Sequence, residues 1–172
     1  MWQSFNGWPS TLAGFRHREP EASFTLTRYL DAQQQWEEYA VETRLYRAKG
    51  YSTYIPKEGF ESEDILYGGL PAIRWVCREN REVWFAVVKL DTQDFDQAIQ
   101  WGLSAGGSDY GLYEDASGGV SGSSTDGSAY LSMQFYKSYN SSLYAAIRHY
   151  PLAETDNLGG YVKLMDDQFQ AE

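Results

Sequence analysis

Residues 72–77 read AIRWVC and residues 82–90 read EVWFAVVKL, and these two runs decide the fold of the chain. Both are rich in the β-branched and aromatic residues that favour strands, and only the polar residues 78–81 separate them. Two such runs joined by a short polar connection predict a β-hairpin. The second run is apolar on both faces, which predicts a central strand that is covered on both sides.

Further strands are predicted on either side of this hairpin. Alternating or β-rich patterns occur over 24–30, 51–55, 129–137, 143–150 and 161–165, and the piece 110–113 could form another short strand. The acidic, glycine-containing stretch 57–71 is predicted to be a connection rather than a strand.

Two main helices are predicted, over about residues 32–48 and 92–104. Asp31 and Gln34 are spaced as the two ends of a capping box, and aromatic and small residues follow at helical spacing. Asp91 is expected to cap the second helix, with Asp94 in its first turn. Because strands and helices are intermixed without a regular βαβ rhythm, the sequence predicts an α+β fold with a mostly antiparallel sheet of five to seven strands.

The chain has 172 residues, and this length favours a single domain over residues 1–172. A glycine- and serine-rich stretch around 105–128 is typical of a flexible loop. The aromatic residues of the first segment, 1–22, are expected to pack on the body of the domain because their exposure to water would be unfavourable.

The net charge is −10, and the charge is unevenly distributed along the chain. Residues 1–90 hold 11 basic and 12 acidic residues, whereas residues 91–172 hold 3 basic and 12 acidic ones. This balance argues against direct nucleic-acid binding, which needs clustered lysine and arginine. It favours either a basic protein surface as partner or a charge that serves solubility alone.

Cys77 is the lone cysteine, so an internal disulfide is impossible and a reducing compartment is favoured. The first residues lack the basic start and apolar run of a secretory signal, although a leader could have been removed. No stretch has the length of apolar sequence that spans a bilayer. We therefore expect a cytoplasmic location and no membrane partner.

Catalytic candidates are few. His149 shares a strand face with Leu143, Ala145 and Ile147, and could act as a general base, alone or paired with the thiol of Cys77. A core role for both side chains is the competing interpretation. The two histidines and one cysteine do not match a zinc motif, and the glycine-rich stretches lack a nucleotide-binding context. No metal and no cofactor is predicted.

Acidic and tyrosine residues are concentrated in the second half of the chain. The binding candidates are Asp109, Tyr110, Tyr113, Glu114, Asp115, Asp126, Tyr130, Tyr136 and Tyr144. Four of the carboxylates could ligate calcium, but the ligand order of an EF-hand is absent. The tyrosines of strands 129–137 and 143–150 would lie on one face, which is either an exposed contact surface or a face covered by a helix.

The leading hypothesis is a non-enzymatic acidic interaction protein that binds a basic protein surface, as an inhibitor, an immunity protein or a mimic of nucleic-acid charge. One alternative is a binder of a small ligand or carbohydrate that uses aromatic residues and the 105–128 loop. A second alternative is an enzyme that uses His149 with a nearby carboxylate, tyrosine or thiol.

Overall fold

The fold is that of a computed structural model, which describes residues 17–172 of the chain. The expected packing of the N-terminal aromatics concerns Trp2, Phe5, Trp8 and Phe15, which lie outside the described residues. In chain order the elements are β1 (Glu21–Leu30), β2 (Gln35–Ala48), β3 (Tyr51–Pro56), β4 (Phe60–Tyr67), β5 (Leu70–Cys77), β6 (Trp84–Lys89), α1 (Phe95–Ala105), β7 (Tyr113–Glu114), β8 (Val120–Ser123), β9 (Ala129–Lys137), β10 (Leu143–Pro151), a short 3-10 turn (Leu152–Glu154), α2 (Gly159–Asp167) and β11 (Gln170–Ala171).

Eleven strands of the described chain form two antiparallel sheets, and two α-helices accompany them. The larger sheet has seven strands in the order β4-β5-β6-β10-β9-β8-β7, and the smaller has four in the order β11-β3-β2-β1. The predicted α+β class is therefore confirmed, and the hairpin of β5 and β6 lies inside the larger sheet as expected.

Both faces of the seven-stranded sheet are covered. One face carries Ala86, Val88 and Ile147 and packs against α1. The opposite face carries Phe85 and Val87 and packs against α2 and the four-stranded sheet. Strand β6 is buried on both faces because it lies between these two apolar cores, as its uninterrupted apolar sequence predicted.

The predicted helix over 32–48 is wrong, because the segment forms the 14-residue strand β2. Residues 31–34 make the turn of a long hairpin, and β2 pairs with β1 from Leu30 opposite Gln35 to Glu21 opposite Arg44. Its other edge pairs with β3. Hydrogen bonding on both edges thus determines the structure of a segment whose local signals favoured a helix.

Other boundaries also differ from the prediction. The expected connection 57–71 contains strand β4, and the expected strand 161–165 lies within helix α2. The helix predicted over 92–104 is confirmed as α1, but its N-cap is Asp94, whose carboxylate accepts a hydrogen bond from the Asp96 amide at 2.8 Å. The segment 105–128 contains the short strands β7 and β8 at one edge of the larger sheet.

Candidate functional site

The tyrosines of β9 and β10 lie on the face that packs against α2 and the four-stranded sheet. Tyr130 is opposite Tyr150, and Tyr136 is opposite Tyr144. Tyr144 is only 4% exposed, and its hydroxyl donates to the carbonyl of Lys49 at 3.0 Å. Tyr136 is half-buried and packs against Phe169. This face is therefore covered in the fold, and Tyr144 is inaccessible to a partner.

The remaining predicted residues lie in the loops of the 105–128 segment. Tyr113 is 58% exposed, and Glu114 beside it is also exposed. The Asp115 carboxylate accepts hydrogen bonds from the amides of Ser117 and Gly119, so it stabilises its own turn. Asp126 does the same through Ser124 and Ser128, and these bonds lower its pKa to about 2.

Tyr110 and His149 form a hydrogen-bonded pair on the α1 side of the larger sheet. The His149 ring is 2% exposed and stacks on Trp84, with 5.0 Å between the ring centroids. Its Nδ1 lies 2.6 Å from the carbonyl oxygen of Glu82, and its Nε2 lies 2.6 Å from the Tyr110 hydroxyl. Because a carbonyl only accepts, Nδ1 carries the proton and Nε2 accepts from the phenol.

Burial lowers the pKa of His149 and raises that of Tyr110, so both groups are neutral near pH 7. Neither hydrogen-bond partner of His149 is a carboxylate or a thiol. Cys77 lies in the core on the opposite face of the sheet, with Trp75 and Phe85, so a thiol–imidazole pair is impossible in this fold. The geometry of His149 is that of a side chain with both ring nitrogens bonded.

Carboxylates surround the Tyr110 end of the molecule. Tyr110 forms a β-bridge with Ser124, and the Thr125 amide donates to the Asp109 carbonyl at 2.8 Å, so the loops of Asp109 and Asp126 are neighbours. Burial, followed by the negative charges of Glu82, Asp109 and Asp126, raises the pKa of Tyr110. Sequence reasoning had picked Asp109 and Asp126 but not Glu82, which belongs to the other half of the chain. Its position follows from the hairpin of β5 and β6, whose loop lies at the same end of the sheet.

Two backbone hydrogen bonds extend this acidic region towards the four-stranded sheet. The Leu152 amide donates to the Ser128 carbonyl at 2.8 Å, which places the turn after β10 beside the Asp126 loop. The Tyr29 amide then donates to the Asp156 carbonyl at 3.0 Å, which joins that turn to β1. We call the resulting set of carboxylates the acidic strip; it comprises Glu82, Asp109, Asp126, Glu154 and Asp156.

The acidic strip is not neutralised by the basic residues that the structure describes. None of its five carboxylates has a lysine or arginine nitrogen of residues 17–172 within 4 Å. The acids of β4 differ, since Glu61 bonds Arg78 and Arg81, and Glu63 bonds Arg74 and Arg81. Other exposed acids among residues 17–172, such as Asp64, Asp91 and Asp94, also lack a basic partner, so what distinguishes the strip is that its acids lie on neighbouring loops.

A groove of about 430 Å³ lies next to one end of this strip, between β1 and α2. Leu26 and Leu164 contribute apolar lining, whereas Asp156, Lys163 and Asp167 contribute charge. Lys163 is paired with Asp167 at 3.0 Å. The sequence did not predict this groove. A helix was expected over 32–48, so β1 had no predicted partner strand and the sheet that forms one wall of the groove was not foreseen.

No family model matches the chain, and no curated protein matches it either. Within residues 17–172 no helix is long and apolar enough to cross a membrane. The same residues hold no group of three or more histidine, cysteine or carboxylate side chains arranged for a metal ion. The functional proposal therefore depends on the geometry and charge of the acidic strip.

Proposed function

We propose that this chain is a non-enzymatic interaction protein whose acidic strip binds a basic surface of a partner protein. An inhibitor, an immunity protein and a mimic of nucleic-acid charge are the kinds of protein that act in this way. The proposal rests on five carboxylates that lie on neighbouring loops and have no basic partner among residues 17–172. The chain that carries them has a net charge of −10.

Charge of this kind acts mainly on association. A concentrated negative field attracts a basic partner, orients it during encounter and disfavours acidic competitors. Affinity then needs contacts at close range, and the accessible aromatic ring nearest in sequence to Asp109 and Tyr110 is that of Tyr113. The covered tyrosines of β9 and β10 have no part in this binding mode.

The partner is to be identified by affinity capture with the full chain from its source organism, followed by titration of the purified partner. We expect the dissociation constant to rise steeply between 50 and 300 mM salt, because the distance over which exposed charges interact shortens as salt is added, to about 10 Å at 0.1 M and about 8 Å at 0.15 M. We also expect Glu82→Gln with Asp109→Asn to weaken binding by about tenfold, or roughly 1.4 kcal/mol.

The matched control is Asp64→Asn with Asp91→Asn, which removes two negative charges from exposed positions; Asp91 follows β6 at the end opposite Glu82. This pair should change the affinity by no more than about twofold, because the lost charges are far from the bound surface. Equal losses in the two double variants, or an affinity that does not respond to salt, would contradict the proposal.

A further inference from the structure

Strand β1 has one edge without a strand partner in the described chain. It is the last strand of the four-stranded sheet, and β2 pairs with only one of its two edges. An edge strand presents backbone amide and carbonyl groups that can bond to another extended chain.

Two hydrogen bonds, one near each end of β1, determine which of its residues direct their backbone groups outwards. The carbonyl of Pro20 accepts from the amide of Leu45, so residue 20 directs its backbone towards β2. The Tyr29 amide donates to Asp156, which lies on the opposite edge. Because the orientation alternates along a strand, the even-numbered residues of β1 bond β2 and the odd-numbered ones face outwards.

Ser23, Thr25 and Thr27 therefore direct three amides and three carbonyls away from β2. Among residues 17–172 none of these groups has a further backbone hydrogen bond. Thr25 and Thr27 line the groove between β1 and α2, so the free edge faces an open channel. A second extended chain laid beside residues 23–27 could make hydrogen bonds to these six groups.

The side chains around this edge indicate which kind of chain fits. An added strand would alternate its side chains between the two faces of the sheet. On the α2 face they would meet apolar groups of Leu26 and Leu164 and the carboxylate of Asp156, while the charge of Lys163 is paired with Asp167. On the opposite face the exposed carboxylates belong to β2, one strand further from the open edge. Glu38 lies across from Thr27, and Glu42 lies across from Ser23.

We propose that β1 is the docking site of a basic, extended segment of a partner protein, which adds a strand along residues 23–27. This inference deepens the proposed function, on which it rests: the acidic strip attracts the partner, and the β1 edge binds it. Backbone hydrogen bonds would supply affinity, while the carboxylates on both faces would select arginine and lysine side chains.

The first test uses a peptide probe and the full chain. The probe is a blocked octapeptide that alternates arginine and valine, and its binding is measured by calorimetry at 50 mM salt. Two further peptides carry N-methyl groups, one on the arginine amides and the other on the valine amides. Because only one edge of a strand can face β1, we expect one methylated peptide to lose at least tenfold in affinity and the other to bind like the parent.

The second test changes the edge of β1. Thr27→Pro removes an outward amide donor and is tolerated where the amide faces away from the sheet, whereas Thr27→Val retains the donor. We expect Thr27→Pro to weaken binding of the parent peptide by about tenfold and Thr27→Val to leave it within about twofold. The melting temperature of both variants, compared with wild type, checks that the fold is retained.

Three results would overturn the docking site. The first is equal binding of the parent and both methylated peptides, which would show attraction by charge without strand addition. The second is loss of partner binding in the Glu82→Gln and Asp109→Asn double variant but not in Thr27→Pro; the proposed function would then stand without the β1 site. The third is a concentration-dependent dimer of the chain that Thr27→Pro dissociates, because this edge would then bind a second copy.

Discussion

At the scale of single residues, Asp166 and Arg148 form an ion pair in the space between β10 and α2. The side chain of Asp166 is only 8% exposed, and its Oδ2 lies 3.5 Å from an Arg148 terminal nitrogen. Oδ1 of Asp166 and Nε of Arg148 are buried without a hydrogen-bond partner among the described residues. Such a pair offsets only part of the cost of removing both charges from water.

This geometry makes folding stability depend on the protonation of Asp166. Burial is the main cause that raises the pKa of Asp166 to about 6; Arg148 and Lys163 oppose the shift, and Asp167 adds to it. Burial, followed by the charges of Asp166 and Asp167, also raises the pKa of Tyr136 to about 12. Because the pKa of Asp166 is higher in the folded than in the unfolded chain, its protonation stabilises the fold below about pH 4. That stabilisation is lost as the pH rises through about 6.

We expect Asp166→Asn to remove this dependence. Between pH 4 and pH 7 the wild type should lose about 2–3 kcal/mol of unfolding free energy relative to Asp166→Asn. Urea denaturation at several pH values measures it, with Asp167→Asn as the control for loss of an exposed carboxylate in the same helix. A difference that is constant over this range would contradict a raised pKa.

Residues on one strand could be located from the sequence, whereas contacts between distant segments could not. Alternation along 143–150 placed His149 on the face of Leu143 and Ile147, and the structure confirms that face. Its partner Tyr110 is 39 residues away and reaches it from a loop. No local pattern encodes that contact, because it results from the path of the chain after α1.

At the scale of elements, β2 shows how tertiary pairing overrides local signals. Asp31 and Gln34 resemble a helix start, yet Gln34 adopts a positive φ of 53° in the turn between β1 and β2. The sequence of β2 also contains a period of two, since Val41 and Thr43 are buried while Glu38 and Glu42 are exposed. The apolar residues of this segment fit both a strand spacing of two and a helical spacing. Pairing with β1 and β3 selects the strand.

The turn between β2 and β3 is a further element whose conformation depends on one residue. Gly50 has a φ of +100°, and a Cβ at this position would overlap the hydroxyl oxygen of Tyr144. That hydroxyl donates to the carbonyl of Lys49, so Tyr144 holds the turn from the neighbouring sheet. Only a residue without a side chain satisfies both the backbone angle and this close approach.

We expect Gly50→Ala to lower the free energy of unfolding by about 3–4 kcal/mol, from backbone strain and from displacement of Tyr144. Gly59→Ala is the matched control, because Gly59 also has a positive φ but no atom lies within 4 Å of its added Cβ. The control should cost about 1–2 kcal/mol, from strain alone. Denaturant unfolding of the two variants compares them directly, and equal losses would show that the Tyr144 contact adds nothing.

At the scale of the whole molecule, charge along the sequence and charge in space are different distributions. The excess of acid in residues 91–172 was visible from composition, but the acidic strip also takes Glu82 from the first half. Two acids of the first half, Glu61 and Glu63 of β4, are meanwhile paired with arginines of β5 and of the loop that follows it. Composition therefore predicted the sign of the field, whereas its position required the topology of the sheets.

A field of this sign should also affect the isolated chain. Excess like charge destabilises a compact state through repulsion, and salt shortens the reach of that repulsion from about 30 Å at 0.01 M to about 8 Å at 0.15 M. Salt also weakens the ion pairs of β4 and β5, but exposed pairs contribute little, so relief of repulsion should dominate. We expect the melting temperature to rise by about 2–4 °C over this range, equivalent to about 1 kcal/mol.

The double variant Glu82→Gln with Asp109→Asn separates the strip from the rest of the surface in this experiment. It removes two of the ten excess negative charges, both from the acidic strip, so its melting temperature at 0.01 M salt should exceed that of wild type. The rise with salt should also be smaller than in wild type, because less repulsion remains to be screened. A wild-type melting temperature that falls as salt is added would contradict this prediction. It would mean that the ion pairs contribute more to stability than the repulsion removes, so that neutralising the strip carboxylates would not stabilise the fold.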